Sequence, residues 1–101
     1  MLVYGIGVGK IKTPKQMERY FKGVSNHHRI KILLLIAERE KVTLEQIVDA
    51  LGANEKTIGE HTRRLRIAGL IDKDYRGRFV EHSLSPYGEI FVRFIKSFPQ
   101  D

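Results

Sequence analysis

The sequence predicts a mainly α-helical fold of about five helices with one small β-hairpin. Three observations favour this fold. Apolar residues recur at helical spacing in successive segments, polar capping residues open these segments, and two short segments with strand character flank a glycine-containing turn. The 101 residues suit one domain. We expect that domain over residues 13–98, preceded by an N-terminal arm or short strand over residues 1–12.

Capping residues delimit the predicted helices. Thr13 and Thr43 each precede a Gln three residues later, which is the capping-box pattern. Gly52 is placed to end the third helix. The predicted caps, in chain order, are Thr13, Ser25 or Asn26, Thr43, Asn54 and Ser85.

The second helix is predicted to lie at the centre of the core. Its apolar residues form a stripe at the i, i+3, i+4, i+7 spacing, and further apolar residues widen that stripe to most of the helix surface. A helix this apolar must be covered on several sides. The residues concerned are Ile30, Ile32, Leu33, Leu34, Leu35, Ile36 and Ala37.

The segment from Asn54 to Leu84 carries the pattern that indicates function. Only a short turn containing Gly52 separates the third helix from the fourth, which describes a helix-turn-helix. The fourth helix has an inward face of Ile58, Thr62 and Leu65 and is otherwise polar and basic. A predicted hairpin turn over residues 75–78 is also basic. A helix of this size can enter a DNA major groove, and a basic hairpin tip can hold neighbouring phosphates.

In this order of elements the chain resembles the winged helix-turn-helix transcription regulators, most closely the ArsR-like group, over roughly residues 14–98. The most specific motif is HTRRLRIAGLI at residues 61–71, which is similar to the family's His-Leu-x-x-Leu-x-x-Ala-Gly-Leu-Val. Thr62 departs from the usual Leu. Residues 84–88, LSPYG, are similar to the segment Leu-Thr-Pro-x-Gly that follows the wing. The resemblance implies a two-stranded wing and a sequence-specific DNA-binding regulator.

Candidate DNA contacts follow from the position of each residue on the fourth helix and the wing. Base contacts come from the first turns of a recognition helix, while Arg63 and Arg64 suit phosphate or guanine. The competing interpretation of the helix is a solvated charged face, and that of the wing is a solvated turn. Thr43 and Asn54 are helix caps first and phosphate donors second. The candidates are Thr43, Asn54, Glu55, Lys56, Thr57, Gly59, Glu60, Arg63, Arg64, Tyr75, Arg76 and Arg78.

Two candidates carry open alternatives. Gly59 costs about 1 kcal/mol relative to Ala inside a helix, and either close approach to DNA or close packing against the preceding helix would explain it. Glu60 can accept a hydrogen bond from cytosine N4. It is equally spaced to pair with Arg63 or Arg64 on the free surface.

A stripe of aromatic residues on the first and last predicted helices suggests a further surface. Intrachain packing between these two helices is one explanation. The family resemblance implies another, namely a homodimer interface that would present two recognition helices to half-sites about 34 Å apart. The residues expected there are Tyr20, Phe21, Tyr87, Phe91, Phe94 and Phe98.

Composition excludes several classes of protein. The net charge of +6 favours binding to nucleic acid or anionic membrane surfaces over an enzyme that acts on acidic substrates, and the absence of cysteine removes disulfides and thiolate metal sites. The four histidines lack the spacing of a metal site, and Gly5–Lys10 fails the phosphate-loop pattern. We therefore expect no enzyme, no cofactor and no metal. No signal peptide or membrane span is visible, and a cytoplasmic location is expected.

Two rival functions remain at this level. A winged helix can serve as a protein–protein interaction module in which the basic helix contacts no DNA. Binding to RNA or to single strands would require exposed stacking aromatics, and Tyr75 is the one candidate beside the basic surface.

Overall fold

The computed structural model describes residues 12–100, and the predicted arm or strand before residue 12 lies outside them. Five helices and three strands follow one another along the chain, so the mainly α-helical prediction is confirmed. They are α1 (Pro14–Val24), α2 (His27–Arg39), β1 (Val42–Thr43), α3 (Leu44–Leu51), α4 (Glu55–Ile67), β2 (Ile71–Arg76), β3 (Phe79–Leu84) and α5 (Pro86–Lys96).

The helices begin where the capping signals predicted. Thr13 and Thr43 both form complete capping boxes, in which each Thr hydroxyl accepts from a backbone N–H and each Gln side chain returns to the cap. Of the two candidates for the second cap, Asn26 takes the position and accepts from the amides of His28 and Arg29. Local hydrogen bonds of this kind are visible in sequence because both partners lie within three residues.

The sheet is larger than the predicted two-stranded wing. The short strand β1 pairs antiparallel with β3, so the strand order is β1-β3-β2. Val42 lies opposite His82 in this register and is almost fully buried. A two-residue strand has no detectable periodicity, which is why the sequence did not reveal it.

The wing turn is also tighter than predicted. β2 runs through Tyr75 and Arg76, which were expected in the turn, and Arg76 pairs with Phe79 across the hairpin. The turn itself is Gly77–Arg78, and Gly77 has a φ of 62°. Two-residue hairpin turns of this kind need positive φ, so Gly77 correctly indicated the position of the turn. The strands extend closer to that glycine than predicted, to Arg76 on one side and Phe79 on the other.

His82 is buried within the sheet. Its Nδ1 donates a hydrogen bond to the carbonyl of Val42 at 3.1 Å. The alternation along β3 places His82 inward beneath β1. The hydrogen bond joins β1 to the sheet through a side chain.

The core surrounds α2, as the breadth of its apolar surface predicted. α2 contacts α1, α3, α4, α5 and β3. Side chains from each of these helices and from the sheet complete a single cluster, in which burial of apolar surface is the main stabilising contribution. Its fully buried members are Ile32, Leu33, Ile36, Val42, Ile47, Ile58, Leu65, Leu70 and Ile71.

Two glycines permit the close helix contacts that fix the ends of the domain. A Cβ at Gly88 would lie 2.0 Å from the carbonyl oxygen of Leu70. Only glycine at this position therefore lets α5 pack closely against the backbone that follows α4. A Cβ at Gly23 would lie 2.5 Å from Cβ of Ala68, which brings α1 against the end of α4.

Candidate nucleic-acid interface

The helix-turn-helix is built by a glycine stop and an asparagine cap. Gly52 ends α3 in the left-handed conformation with a φ of 64°. Asn54 then begins α4, and its Oδ1 accepts from the amides of Lys56 at 2.8 Å and Thr57 at 3.2 Å. The carbonyl oxygen of the Asn54 side chain is therefore occupied. Its NH₂ group has no partner among the described residues and can donate to a phosphate.

The helix α4 has two sharply different faces. Ile58, Thr62 and Leu65 are buried against the domain, as predicted. The opposite face is exposed and carries four cationic side chains. They are Lys56, Arg63, Arg64 and Arg66.

Thr62 marks a polar defect in the buried face. Its Oγ1 is buried and has no hydrogen-bond partner among the described residues. Leaving such a hydroxyl unpaired costs about 1–3 kcal/mol. The family pattern that this segment resembles usually has Leu at this position, so Thr62 departs from it without gaining a hydrogen bond among the described residues.

Glu60 forms ion pairs with both Arg63 and Arg64 on α4. Its Oε1 accepts from Nη1 of Arg63 and from Nε of Arg64, each at 3.2 Å. All three side chains are about half exposed, and ion pairs in such positions contribute only about 0–1 kcal/mol. This is the surface pairing that the spacing allowed, and it holds both arginines on the exposed face.

Gly59 has room for a side chain. A Cβ there would meet only Cδ2 of Leu44, at 3.8 Å, which is an ordinary contact distance. Packing of α4 against α3 therefore does not require glycine. Of the two explanations drawn from the sequence, close packing loses its support, and close approach of a ligand to the α4 backbone remains.

The wing is exposed, and its two arginines differ in their surroundings. Nε of Arg76 lies 2.9 Å from a carboxylate oxygen of Asp74 and 3.8 Å from one of Glu81. Arg78, in the turn, has no such partner among the described residues. Tyr75 is also exposed, with the Lys73 ammonium 5.5 Å from its ring centroid.

A groove joins the recognition helix to the wing and contains residues outside the predicted site. Arg66 and Lys73 line this groove of about 180 Å³ together with Gly59, Arg63 and His82. Both cations extend the positive surface from α4 to β2. The positive charges of Lys73 and Arg66 add to the effect of burial in lowering the pKa of His82. Arg66 belongs to the basic helix that the sequence predicts, but Lys73 had no local signal, because only the packing of β2 beside α4 brings the two side chains together.

Thr43 is committed to its cap. Its Oγ1 accepts from the amide of Gln46 at 3.2 Å, while its own amide donates to the Gln46 side chain at 2.9 Å. The hydroxyl proton is still available as a donor. The remaining predicted contacts, Glu55 and Lys56, are exposed in the first turn of α4, and Thr57 is half-buried beside them.

The aromatic stripe divides into two sets. Tyr20 and Phe91, expected at a dimer interface, are instead part of the core of the single chain, with 5% and 6% of their surfaces exposed. They are held there by Tyr87 and Phe21, whose rings lie 4.7 Å and 5.1 Å away. Intrachain packing therefore accounts for the buried set. The exposed set is Phe21, Tyr87, Ile90, Phe94 and Phe98.

Tertiary packing gathers three of the four histidines, which the sequence left scattered. The rings of His27 and His28 are 4.2 Å apart, and that of His61 is 5.1 Å from His28. Within residues 12–100, no group of three or more His, Asp or Glu side chains is arranged to hold a metal ion.

No helix within residues 12–100 is long and apolar enough to cross a bilayer.

Comparison with known proteins agrees with this geometry. Residues 26–73 match the profile of the bacterial regulatory proteins of the arsR family. The fold is similar to HlyU from Vibrio cholerae N16961, with 17% identity, a TM-score of 0.75, and coverage of 85% of this chain and 94% of that one. It is equally similar to the transcriptional repressor PagR of Bacillus anthracis, with 17% identity, a TM-score of 0.74, and coverage of 80% and 93%.

A third solved structure is somewhat more similar in sequence. It is a homodimeric winged helix-turn-helix DNA-binding domain from Mycobacterium bovis, a possible ArsR-family transcriptional regulator. The identity is 25% and the TM-score 0.69, with coverage of 88% of this chain and 83% of that one. Of these three proteins, PagR is a transcriptional repressor and the Mycobacterium bovis protein a possible transcriptional regulator.

Proposed function

We propose that this chain is an ArsR-like winged helix-turn-helix transcription regulator that binds double-stranded DNA sequence-specifically as a homodimer. The DNA-binding domain would span residues 13–98. The observation that carries the proposal is the two-sided character of α4. One face is buried in the core, and the other exposes four cationic side chains to solvent.

In the proposed complex α4 lies in the major groove, which is wide enough to admit one helix. The first turns contact base edges through Glu55, Lys56 and Thr57. The open surface at Gly59 lets the helix backbone come close to the duplex. Arg63 and Arg64 follow on the same exposed side and contact phosphate or guanine.

The flanking backbone is contacted by the wing and by the ends of the recognition unit. Arg78 occupies the tip, while Arg76 and Tyr75 follow on β2. Thr43 and Asn54 each retain a side-chain donor beside a helix N-terminus, where phosphate binding is favourable. Because Arg66 and Lys73 connect α4 to the wing, the positive surface is continuous between the two contacts.

The exposed aromatic set supplies the proposed dimer interface. Phe21, Ile90, Phe94 and Phe98 each have about half of their surface exposed in the single chain. Large apolar side chains concentrated on one surface of a small protein mark an interaction site. The homodimeric state of the Mycobacterium bovis domain supports a second copy of this chain as the partner.

The test begins with selection of bound sites from a random duplex pool, followed by titration of the selected duplex at several salt concentrations. The logarithm of the affinity should fall linearly with the logarithm of the salt concentration, because binding releases counterions. The double variant Arg63→Ala, Arg64→Ala should bind much more weakly and with a shallower salt slope. Arg39→Ala, an exposed arginine in the last turn of α2, is the matched control.

The alternative, a protein-interaction module with no DNA contact, predicts a different result. No duplex would be enriched, and the double variant would behave like the Arg39 control. Absence of binding to any duplex at low salt would reject the DNA-binding proposal.

A further inference from the structure

A second basic surface lies beside the recognition helix, where α1, α2 and the C-terminal half of α4 meet. It is a pocket of about 280 Å³. Its apolar lining consists of Gly23, Ile67 and Ala68, and its other lining residues are five cationic side chains and no acidic one. The cationic side chains are Arg19, Lys22, Arg29, Arg63 and Arg64.

Arg29 is the unusual member of this group, because its charge has no acidic partner. No carboxylate forms an ion pair with it among residues 12–100. Its Nη1 lies 3.0 Å from Nδ1 of His61, and its Nη2 is 3.5 Å from the carbonyl oxygen of Lys22. Since a guanidinium can only donate, His61 must accept at Nδ1 and is therefore neutral.

The environment of Arg29 is unfavourable to a cation. Its Nε is buried and has no hydrogen-bond partner in the described part of the chain. Burial and then the charge of Arg64 lower the pKa of Arg29. Buried or partly buried charges are normally paired, because an unpaired one is costly. A cation in this setting is suited to take an anionic partner from outside the described residues.

The two nearby carboxylates do not provide that partner. Glu18 pairs with Lys15 and Lys22. Glu60 pairs with Arg63 and Arg64. Neither carboxylate lines the pocket or pairs with Arg29.

We propose that this pocket binds a small organic anion, with its carboxylate or phosphate group held by Arg29, Arg19 and Lys22 and its apolar part against Gly23, Ile67 and Ala68. Arginine pairs with such oxyanions by charge-assisted, often bidentate hydrogen bonds. A volume of about 280 Å³ lies near the lower end of the range for small-ligand sites. The ligand class is therefore a compact anion.

The position of the pocket separates it from base contact. With a rise of 1.5 Å per residue, Ile67 lies about 18 Å along α4 from Glu55. DNA read by the first turns would approach the pocket only at its rim, through Arg63 and Arg64. This separation favours a small ligand over a backbone phosphate as the occupant.

Arg63 and Arg64 belong both to this rim and to the proposed DNA surface. An anion in the pocket would draw them away from DNA phosphates and add negative charge beside them. The expected consequence, which rests on the proposed function, is that the anion and the duplex weaken each other's binding by the same factor.

Phenyl phosphate and inorganic phosphate are suitable probes, because they share an oxyanion and differ in the apolar part. Binding to the full chain without DNA is measured by calorimetry at constant ionic strength. Saturable binding is expected, with phenyl phosphate tighter than inorganic phosphate. The double variant Arg19→Gln, Lys22→Gln should bind phenyl phosphate about tenfold more weakly or worse. Both side chains are exposed, so this variant should fold.

Arg39→Gln is the control and should bind the probe like the unmodified chain. The inference is overturned if neither probe binds saturably, or if the control loses affinity as much as the double variant. It is also overturned if the double variant loses duplex affinity while no probe binds, because the pocket would then be part of the DNA surface. Since the calorimetry uses no DNA, its outcome is independent of whether the chain binds a duplex.

Discussion

A Cβ atom on Gly59 would lie 3.8 Å from Cδ2 of Leu44 and would meet no other neighbouring side chain or element closely. The contact between α3 and α4 therefore leaves space at a position where glycine weakens the helix. Neither helix stability nor packing explains the glycine at position 59, so its explanation lies in contact with another molecule. The proposed approach of a duplex to the α4 backbone would provide that explanation.

Gly59→Ala should accordingly stabilise the protein and weaken DNA binding. The gain in the free energy of unfolding should be about 1 kcal/mol, because Ala has the higher helix propensity. It is measured by urea unfolding, and the affinity by titration of the selected duplex. Gly23→Ala is the contrasting variant and should destabilise, since its Cβ would meet Cβ of Ala68 at 2.5 Å. Unchanged duplex affinity in Gly59→Ala would contradict the close-approach explanation.

Glu60→Gln separates the two roles that this residue can have. If Glu60 only pairs with Arg63 and Arg64, removing its charge frees both arginines, and the duplex affinity should rise several-fold with a steeper salt slope. The free energy of unfolding should change by less than about 1 kcal/mol, because exposed ion pairs contribute little. Glu60→Ala also removes the acceptor oxygen, which Gln retains, so a loss of affinity at one cytosine-containing position in Glu60→Ala but not in Glu60→Gln would identify Glu60 as an acceptor from cytosine N4.

The two wing arginines should differ in their effect on DNA binding. Arg78→Ala should weaken binding uniformly across sequences and lower the salt slope by about one, as expected for a lost phosphate contact. Arg76→Ala should have a smaller effect, since Asp74 and Glu81 already neutralise that side chain in the free protein. Salt-dependent titrations of both variants make the comparison. Equal losses would show that the acidic neighbours release Arg76 on binding.

The double variant Ile90→Glu, Phe94→Glu should convert the proposed dimer into monomers. Both side chains are about half exposed in the single chain, so their replacement should leave the core intact. Sedimentation equilibrium gives the oligomeric state, and circular dichroism checks the fold. Tyr75→Glu, an exposed aromatic on the wing, is the matched control and should not change the assembly. A dimer that persists in the double variant would place the interface elsewhere.

Stability should decrease between pH 7.5 and pH 5 partly because of His82. Burial is the main cause of its lowered pKa in the folded state, whereas the unfolded value is about 6.5. The unfolded chain therefore binds the proton first, so the contribution of neutral His82 is complete above about pH 6.5 and is lost as the pH falls below it. His82→Gln can retain the hydrogen bond to Val42 and should show a weaker pH dependence of the urea midpoint. An identical dependence in both proteins would assign the effect to other groups.

The sequence by itself determined those features that depend on neighbours along the chain. Capping at Thr13, Thr43 and Asn54, the helix stop at Gly52 and the apolar breadth of α2 all involve groups a few residues apart, and all appear in the structure. The basic exposed face of α4 follows from the same periodicity. The fold and the main candidate surface were therefore predictable.

Tertiary structure decided the features that depend on distant parts of the chain. Pairing across 40 residues buries His82 under Val42, and ring contacts between α1 and α5 place Tyr20 and Phe91 in the core. Packing of α1, α2 and α4 assembles five cations around one pocket. Local periodicity shows which side of an element is apolar or charged, but the position of neighbouring elements decides what that side meets.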